Sequence, residues 1–134
     1  MSQKSQEKDV LSLIRSWERA IQNGDMDGIL AHHSESVLMF DVPEPLQSVG
    51  IDNYRKTWEL FFRYGPPSRD VFVIEDLKVT VGEEVAWATG LLRIGGSPKP
   101  VCRLTLGLIK KHGRWLIAHE HHSAPHKLSS EERQ

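Results

Sequence analysis

The chain has 134 residues, of which 39% are hydrophobic and 26% are charged, and its formal net charge at pH 7 is −1. This length and composition are typical of one soluble globular domain that buries about two thirds of its unfolded surface. Basic and acidic residues are interspersed, which argues against a nucleic acid or an anionic membrane as partner. The single cysteine, Cys102, excludes an intramolecular disulfide and a multi-cysteine zinc site, and it is typical of a reducing compartment.

The N-terminal segment is polar and lacks the apolar core of a signal peptide. No apolar run approaches the roughly 20 residues that a membrane-spanning helix needs. We therefore expect a cytoplasmic protein with neither nucleic acid nor membrane among its partners.

The first helix is predicted over residues 7–23, where apolar side chains recur at helical spacing. Its apolar stripe consists of Val10, Ile14, Trp17 and Ile21. Gly24 follows, and glycine readily takes the left-handed conformation that closes a helix. Asp25 is then suited to cap a second, short helix with the apolar residues Met26, Ile29 and Leu30. The pattern predicts two consecutive helices joined by a tight turn.

A short strand and a third helix are predicted next. Residues 36–41 are rich in strand-forming side chains, and the strand ends at Asp41, before the prolines of an irregular loop that reaches Gly50. The third helix covers residues 51–63, and a glycine followed by two prolines ends it. Its apolar stripe consists of Ile51, Tyr54, Trp58, Phe61 and Phe62.

The second half of the chain changes to the alternating pattern of strands. Four strands separated by short, glycine-containing turns are predicted over residues 71–81, 84–94, 101–111 and 114–125. Connections this short imply an antiparallel meander. The fold class is therefore α+β, with three N-terminal helices packed on one face of a curved, mainly antiparallel sheet. We expect a single domain over residues 1–134, with residues 1–6 and 127–134 as frayed tails.

Three stretches resemble a known superfamily. Ala-Ile-Gln-Asn-Gly-Asp-Met-Asp-Gly-Ile-Leu at residues 20–30, Val-Leu-Met-Phe-Asp at 37–41 and the segment 112–125 are similar to SnoaL-like, ketosteroid-isomerase-like members of the nuclear-transport-factor-2-like superfamily. The ending Gly-x-Trp-x-x-x-His-x-His-x-Ser-x-Pro also resembles the association domain of calcium/calmodulin-dependent protein kinases. The resemblance implies a cone-shaped half-barrel with an internal pocket between sheet and helices. Members include isomerases, dehydratases, cyclases and non-catalytic binding or assembly domains, so the fold does not choose a function.

The resemblance carries over to single residues only in part. Asp41 lies where ketosteroid isomerases place the carboxylate that moves a proton, and Trp17 lies where they place the tyrosine of the oxyanion hole. Their second oxyanion donor, an aspartate, would fall near Thr105 or Leu106, where there is no carboxyl group. That mechanism needs both donors, so the specific ketosteroid isomerase reaction is disfavoured.

The kinase association domain provides two further matches. Tyr54 corresponds to a histidine that faces its pocket, and His122 corresponds to one of its pocket arginines. The arginine on its penultimate strand is replaced here by Leu106. The resemblance implies that Tyr54 and His122 face the pocket, but it does not imply the anion binding of that domain.

The last predicted strand carries four titratable side chains in a row. Alternation sends Glu120 and His122 to one face and His119 and His121 to the other. By the resemblance, the first pair faces the pocket with Asp41 and Tyr54. We expect Asp41 to be a base in apolar surroundings, with His122, Glu120 or Tyr54 as proton donor or orienting group. We expect the ligand to contact Trp17, Trp58, Phe40 and Leu106.

Simpler interpretations of the same residues stay open. Asp41 would then cap the turn before Pro43, Glu120 would pair with a neighbouring base, and His122 would cap the strand end. The pair His32-His33 is interpreted as the end of the short second helix, where imidazole side chains compensate the negative C-terminal end of the helix dipole.

The opposite face of the last strand is predicted to be a homodimer interface. His119 and His121 would lie there with Trp115 and Ile117. A metal site would need three or four converging ligands, with His126 or Asp41 completing the set, and no metal-binding spacing supports it. No metal and no cofactor are therefore predicted.

The predicted function is binding of a small hydrophobic or carboxylate-bearing molecule, with cofactor-independent isomerisation or dehydration as its chemistry. The alternative is a non-catalytic module for oligomerisation or ligand sensing. Assembly through the two outward histidines would depend on pH, because free imidazole titrates near neutral pH.

Overall fold

The computed structural model describes residues 2–129 and contains three helices and six strands within them. The helices are α1 (Gln3–Asn23), α2 (Met26–Leu30) and α3 (Ile51–Tyr64). The strands are β1 (His33–Phe40), β2 (Ser48–Val49), β3 (Phe72–Val81), β4 (Val85–Ile94), β5 (Cys102–Lys111) and β6 (Arg114–Ser123). No helix in this part of the chain is long and apolar enough to cross a membrane.

Local capping sets the limits of the first two helices. The Ser2 hydroxyl accepts from the backbone N–H of Ser5 at 3.1 Å, so α1 begins at Gln3. Residues 3–6, which we expected to be frayed, are therefore helical; Met1 and residues 130–134 lie outside the described residues. Gly24 closes α1 with φ 67°, and the Asp25 carboxylate caps α2 by accepting from the N–H of Gly28 at 3.1 Å.

The six strands form one curved, unclosed sheet in the order β2-β1-β6-β5-β4-β3. The last four strands are the predicted antiparallel meander, and β1 returns to lie parallel to β6. Strand β2, which lies in the predicted loop, pairs with β1 as an antiparallel edge strand. Helix α1 packs on β3 and β6, and α3 packs on β1 and β2. The parallel pairing brings the ends of β1 and β6 together, and this positions the site.

A β-bulge in β6 corrects one prediction. Gly107 of β5 pairs with His119, but the next residue, Leu108, pairs with Ile117, so Ala118 is an extra residue. The extra residue reverses the alternation along β6. Trp115 and Ile117 therefore face the core, with 7% and 0% exposure, and do not share the outer face with His119.

Aromatic side chains fill the space between the helices and the sheet. The ring of Trp17 lies edge-on to Phe72 at 5.3 Å between centroids, and Trp58 lies edge-on to Phe72 at 5.5 Å. Such pairs add to the free energy of burying their large apolar area. The outer face of the sheet is less well covered, since Val85, Trp87 and Leu91 of β4 are 63%, 53% and 40% exposed.

Candidate functional site

A cavity of about 810 Å³ opens beside the C-terminal half of α3. This volume is in the range of pockets that take small organic ligands. Most of its wall is apolar and includes Met39, Trp58, Phe61, Tyr64, Phe72 and Ile94. The side chains of Asp41, which follows β1, and His122 of β6 reach the same cavity. The cavity is therefore suited to an apolar molecule that presents a polar or reactive group to these two side chains.

Asp41 and His122 meet because β1 and β6 are parallel neighbours. Phe40, the last residue of β1, pairs with His121, so the next residue on each strand comes together. Nδ1 of His122 lies 3.4 Å from Oδ1 of Asp41. The same Oδ1 accepts from the backbone N–H of Val42 at 2.8 Å, so Asp41 also caps the turn after β1. Asp41 can therefore cap the turn with Oδ1 and still face the cavity, because its side chain is 25% exposed.

Glu120 lies behind His122, away from the cavity, and is fully buried. Its Oε2 is 2.7 Å from Nε2 of His122, in an ion pair whose angle is outside the range of a hydrogen bond. Its Oε1 accepts from the hydroxyl of Tyr54 at 2.7 Å. The indole N–H of Trp17 in turn donates to the Tyr54 oxygen at 3.2 Å. A chain of polar contacts therefore runs from the core through Glu120 and His122 to the cavity.

The pair of Glu120 and His122 is charged because each group stabilises the other. Burial by itself raises the pKa of Glu120, but the charge of His122 and contacts with both neighbouring histidines lower that pKa to about 2. Burial likewise lowers the pKa of His122, but the carboxylates of Glu120 and Asp41 raise it to about 9. At neutral pH, His122 is therefore an imidazolium between two carboxylates.

Tyr54 is fully buried and stays protonated. Burial and the adjacent Glu120 carboxylate raise the pKa of Tyr54 well above 10.0. Its hydroxyl proton points to Glu120, and its side chain is not part of the cavity wall. Tyr54 and Glu120 are thus brought together with the other predicted catalytic residues, but only Asp41 and His122 reach the cavity.

His33 is a member of this group that we did not predict. Its side chain is fully buried, and its Nε2 lies 3.6 Å from Oε1 of Glu120. Its ring stacks on Tyr54 at 4.4 Å between centroids. The interpretation as a helix end was wrong for His33, because β1 begins at this residue. Its burial does not follow from the alternation of Val37 and Met39, because Glu35 is exposed and the pairing of β1 with β6 shifts between His33 and Leu38. We refer to Asp41, His122, Glu120, Tyr54 and His33 together as the acid–base cluster.

The four predicted ligand contacts divide by position. Trp58 lines the cavity, whereas Trp17 is fully buried beneath it and bonds Tyr54. Leu106 is fully buried opposite Glu120 in the sheet and does not line the cavity. The prediction that Phe40 contacts the ligand was wrong. Alternation along β1 turns its side chain to the outer face, where its ring packs on His119 and His121 at 4.9 and 5.3 Å between centroids.

Other potential ligands do not form a metal-binding arrangement. Within residues 2–129, no group of three or more histidine, cysteine and carboxylate side chains is placed to hold a metal ion. Cys102 lines the cavity and is half-buried. Burial and the nearby Asp41 raise the pKa of Cys102, so its sulfur stays a thiol, which is a weak nucleophile.

Comparisons with known proteins identify the same architecture. The family model of the SnoaL-like domain matches residues 10–127. An NTF2-like protein of unknown function from Pseudomonas putida KT2440 is 29% identical, with a TM-score of 0.85 over 97% of this chain and 93% of that chain.

Two more distant structures share the fold. A protein provisionally assigned as a dehydratase of the NTF2-like family, from Streptomyces avermitilis, is 14% identical, with a TM-score of 0.74 over 94% of this chain and 100% of that chain. One provisionally assigned as a ketosteroid isomerase, from Parabacteroides distasonis ATCC 8503, is 21% identical, with a TM-score of 0.69 over 90% and 88%. No curated protein matches the chain.

Proposed function

The chain belongs to the SnoaL-like family of the nuclear-transport-factor-2-like superfamily, and we propose that it transfers a proton on a small, largely apolar molecule without a cofactor. One observation carries the proposal. A partly exposed carboxylate, Asp41, and a charged imidazole, His122, lie side by side in the wall of a largely apolar cavity. Acid and base groups in contact within an apolar site are what isomerisation and dehydration require.

Asp41 is proposed as the base. Its Oδ1 is engaged by Val42 and His122, and within residues 2–129 no hydrogen bond reaches Oδ2. Oδ2 is therefore available to take a proton from a carbon next to a ligand carbonyl. The electron pair of the broken C–H bond moves into the carbonyl and leaves an enolate oxygen. In isomerisation, Asp41 returns the proton to a different carbon.

His122 is proposed to stabilise the enolate oxygen and to act as the acid in dehydration. The distance of 3.4 Å between Nδ1 and Asp41 is longer than a usual N–H···O hydrogen bond, so a ligand oxygen can take this N–H. In dehydration, the imidazolium gives its proton to a leaving hydroxyl group, which departs as water. His122 thus takes the role of the oxyanion-hole donors of ketosteroid isomerases. One of those donors is an aspartate near the position of Leu106, which has no donor group.

Glu120 and Tyr54 are proposed to orient His122 and not to contact the ligand. Both are fully buried, and the Tyr54 hydroxyl donates a hydrogen bond to Glu120. Glu120 holds the positive charge on His122 from behind the cavity. Two structures that share the fold are provisionally assigned as a ketosteroid isomerase and a dehydratase, and the proposed reaction class is consistent with both names because both reactions consist of proton transfers. The single half-buried thiol of Cys102 supports a cytoplasmic location.

The test begins with a thermal-shift panel of steroids, polyketide-like lactones and hydrophobic carboxylates, because binding raises the melting temperature. Each ligand that binds is then incubated with the protein in D₂O, and deuterium uptake is followed by mass spectrometry. The Asp41→Asn variant should lose exchange by at least about 100-fold while it stays folded and still binds the ligand. Glu44→Gln removes another carboxylate of the same cavity wall and should leave exchange unchanged. Undiminished exchange in Asp41→Asn would rule out the proposed base.

A second proposal concerns a second copy of the chain as partner. The outer face of β4 exposes Val85, Trp87 and Leu91, which point to the same side of the strand, and exposed tryptophan is typical of interfaces. We propose a homodimer through this face. The alternative function, a non-catalytic module for oligomerisation or ligand sensing, depends on the dimer alone. It would survive the Asp41→Asn change that abolishes proton transfer.

A further inference from the structure

Glu120 is approached by two imidazole rings, and one of them, His33, has no part in the proton transfer proposed above. The side chain of His33 is fully buried, and neither of its ring nitrogens has a hydrogen-bond partner within residues 2–129. A buried polar atom without a partner costs free energy. A phenylalanine would fill the same space without this cost. Packing alone therefore does not account for the histidine.

The two carboxylate oxygens of Glu120 have different neighbours, and His33 lies near one of them. Its Nε2 lies 3.6 Å from Oε1 of Glu120, the oxygen that also accepts from the Tyr54 hydroxyl at 2.7 Å. The other oxygen, Oε2, lies 2.7 Å from Nε2 of His122. Two groups on the buried side and one on the cavity side thus share one negative charge. Whatever attracts that charge to Oε1 weakens its attraction for His122.

We propose that His33 is a positioning residue that, with Tyr54, holds Oε1 of Glu120 from the buried side and so limits how strongly Glu120 retains the proton on His122. The His33 ring packs against Tyr54 at 4.4 Å between centroids, with the two planes tilted by 33°, and this contact favours the observed ring position. The consequence for turnover rests on the proposed function, since a His122 that releases its proton more readily is the better acid. The effect on His122 itself does not depend on any reaction.

Few other groups compete for the same interaction. The titratable groups around the pair are Tyr54 from α3, His33 from β1, Asp41 after β1 and Cys102 from β5. The neighbouring side chains of α1, α3, β3 and β5 carry no charge: Trp17, Trp58, Phe72, Leu104 and Leu106. Among all of these, His33 and Tyr54 are the groups near Oε1, so a change at His33 reports on that oxygen.

The experiment is an NMR titration of the His122 ring in wild type, His33→Phe and His32→Phe, with the His122 signal assigned from its loss in His122→Gln. His33→Phe preserves a ring over Tyr54 and removes both nitrogens. It should raise the pKa of His122 by about 0.5–1 unit, because Glu120 then attracts His122 more strongly. His32→Phe removes the half-buried neighbouring imidazole and should leave the pKa of His122 unchanged. Urea unfolding should confirm that both variants are folded, because the pKa of His122 reports on this contact only in the folded protein.

A pKa of His122 that stays the same or falls in His33→Phe would overturn the proposal. If His33→Phe does not fold, Tyr54→Phe takes its place, because it removes the hydroxyl that donates to the same oxygen. That variant should also raise the pKa of His122, and an unchanged value would again overturn the proposal. An upward shift together with unimpaired deuterium exchange in Asp41→Asn would support His33 and refute the reaction, so the two failures are distinguishable.

Discussion

Replacing Glu120 with glutamine tests the charge that holds the acid–base cluster together. Glutamine has almost the same shape and can still accept from the Tyr54 hydroxyl, which now donates to Oε1 at 2.7 Å. The substitution removes only the negative charge beside His122. The pKa of His122 should then fall from about 9 toward its ordinary value of 6.5, since burial opposes the charged form and Asp41 alone supports it.

The free energy at stake follows from the same pKa values. A rise from 6.5 to about 9, at 1.36 kcal/mol for each unit, corresponds to about 3 kcal/mol of stability. Removing one partner of a buried ion pair costs roughly 3–5 kcal/mol in other proteins, so the two figures agree. Glu120→Gln should therefore lower the free energy of unfolding by about 3 kcal/mol near pH 6. The pair is counted once, because its two groups titrate together.

The dependence on pH gives the prediction its sign. The folded-state pKa of His122 is raised, so its contribution is fully present below 6.5 and is lost as the pH rises through about 9. The folded-state pKa of Glu120 is lowered, so its contribution is present above 4.5 and is lost as the pH falls through about 2. The difference in stability between wild type and Glu120→Gln should thus be largest between pH 4.5 and 6.5 and should decrease on both sides.

Urea unfolding at a series of pH values measures this difference. The matched control is Glu75→Gln, which breaks an ion pair with Arg93 of similar length, 2.6 Å, in which the Glu75 side chain is 44% exposed. An exposed pair contributes about 0–1 kcal/mol, and its loss should leave the pH dependence between 5 and 9 unchanged. If Glu120→Gln costs no more than Glu75→Gln, or if its cost is the same at pH 6 and pH 9, the buried pair of Glu120 and His122 is not charged in the folded protein.

Two further predictions concern the sheet. Trp87→Glu places a charge in the exposed outer face and should convert the dimer to monomer in sedimentation velocity, whereas Leu46→Glu, at a 93% exposed position in the β1–β2 loop, should leave the dimer intact; a monomeric wild type would contradict the proposed interface. Gly90→Ala should lower the free energy of unfolding by about 1–3 kcal/mol, because the added Cβ would lie 2.7 Å from Cγ2 of the buried, stiff Ile74 side chain. An unchanged urea midpoint for Gly90→Ala would show that β3 moves aside without cost.

Most of the fold was predictable because its signals are local. Residues close in sequence determine the apolar stripe of α1, its glycine cap and the hairpin turn at His112-Gly113. The structure has φ 67° at Gly24, and His112, with φ 52°, takes the left-handed conformation that asparagine often adopts in such turns. The short turns likewise predicted the antiparallel meander from β3 to β6. Strand β2 was missed because a two-residue edge strand has no periodicity of its own and exists only through its pairing with β1.

The site was only partly predictable, because pairing with a neighbouring strand can introduce a bulge that reverses which face of the sheet each side chain points to. Glu120 and His122 were correctly placed on the inner face, but the bulge at Ala118 moved Trp115 and Ile117 to that face as well. No feature of the local sequence marks the bulge, which arises from pairing with β5. His33 was misassigned for a related reason, since β1 begins there only through its pairing with β6.

The acid–base cluster interrupts a core that is apolar elsewhere. In the sheet, Leu104 and Leu106 pair with His122 and Glu120 and are 1% and 0% exposed. Apolar side chains therefore fill the same layer of the core on the neighbouring strand. A buried ion pair is often no more stabilising than hydrophobic residues of equal volume, because both charges must be removed from water. The fold alone therefore does not require this cluster. The charges of the cluster lie where β6 reaches the cavity. The loss of stability in Glu120→Gln measures the interaction energy of the buried pair. The loss of deuterium exchange in Asp41→Asn measures the contribution of the cluster to proton transfer.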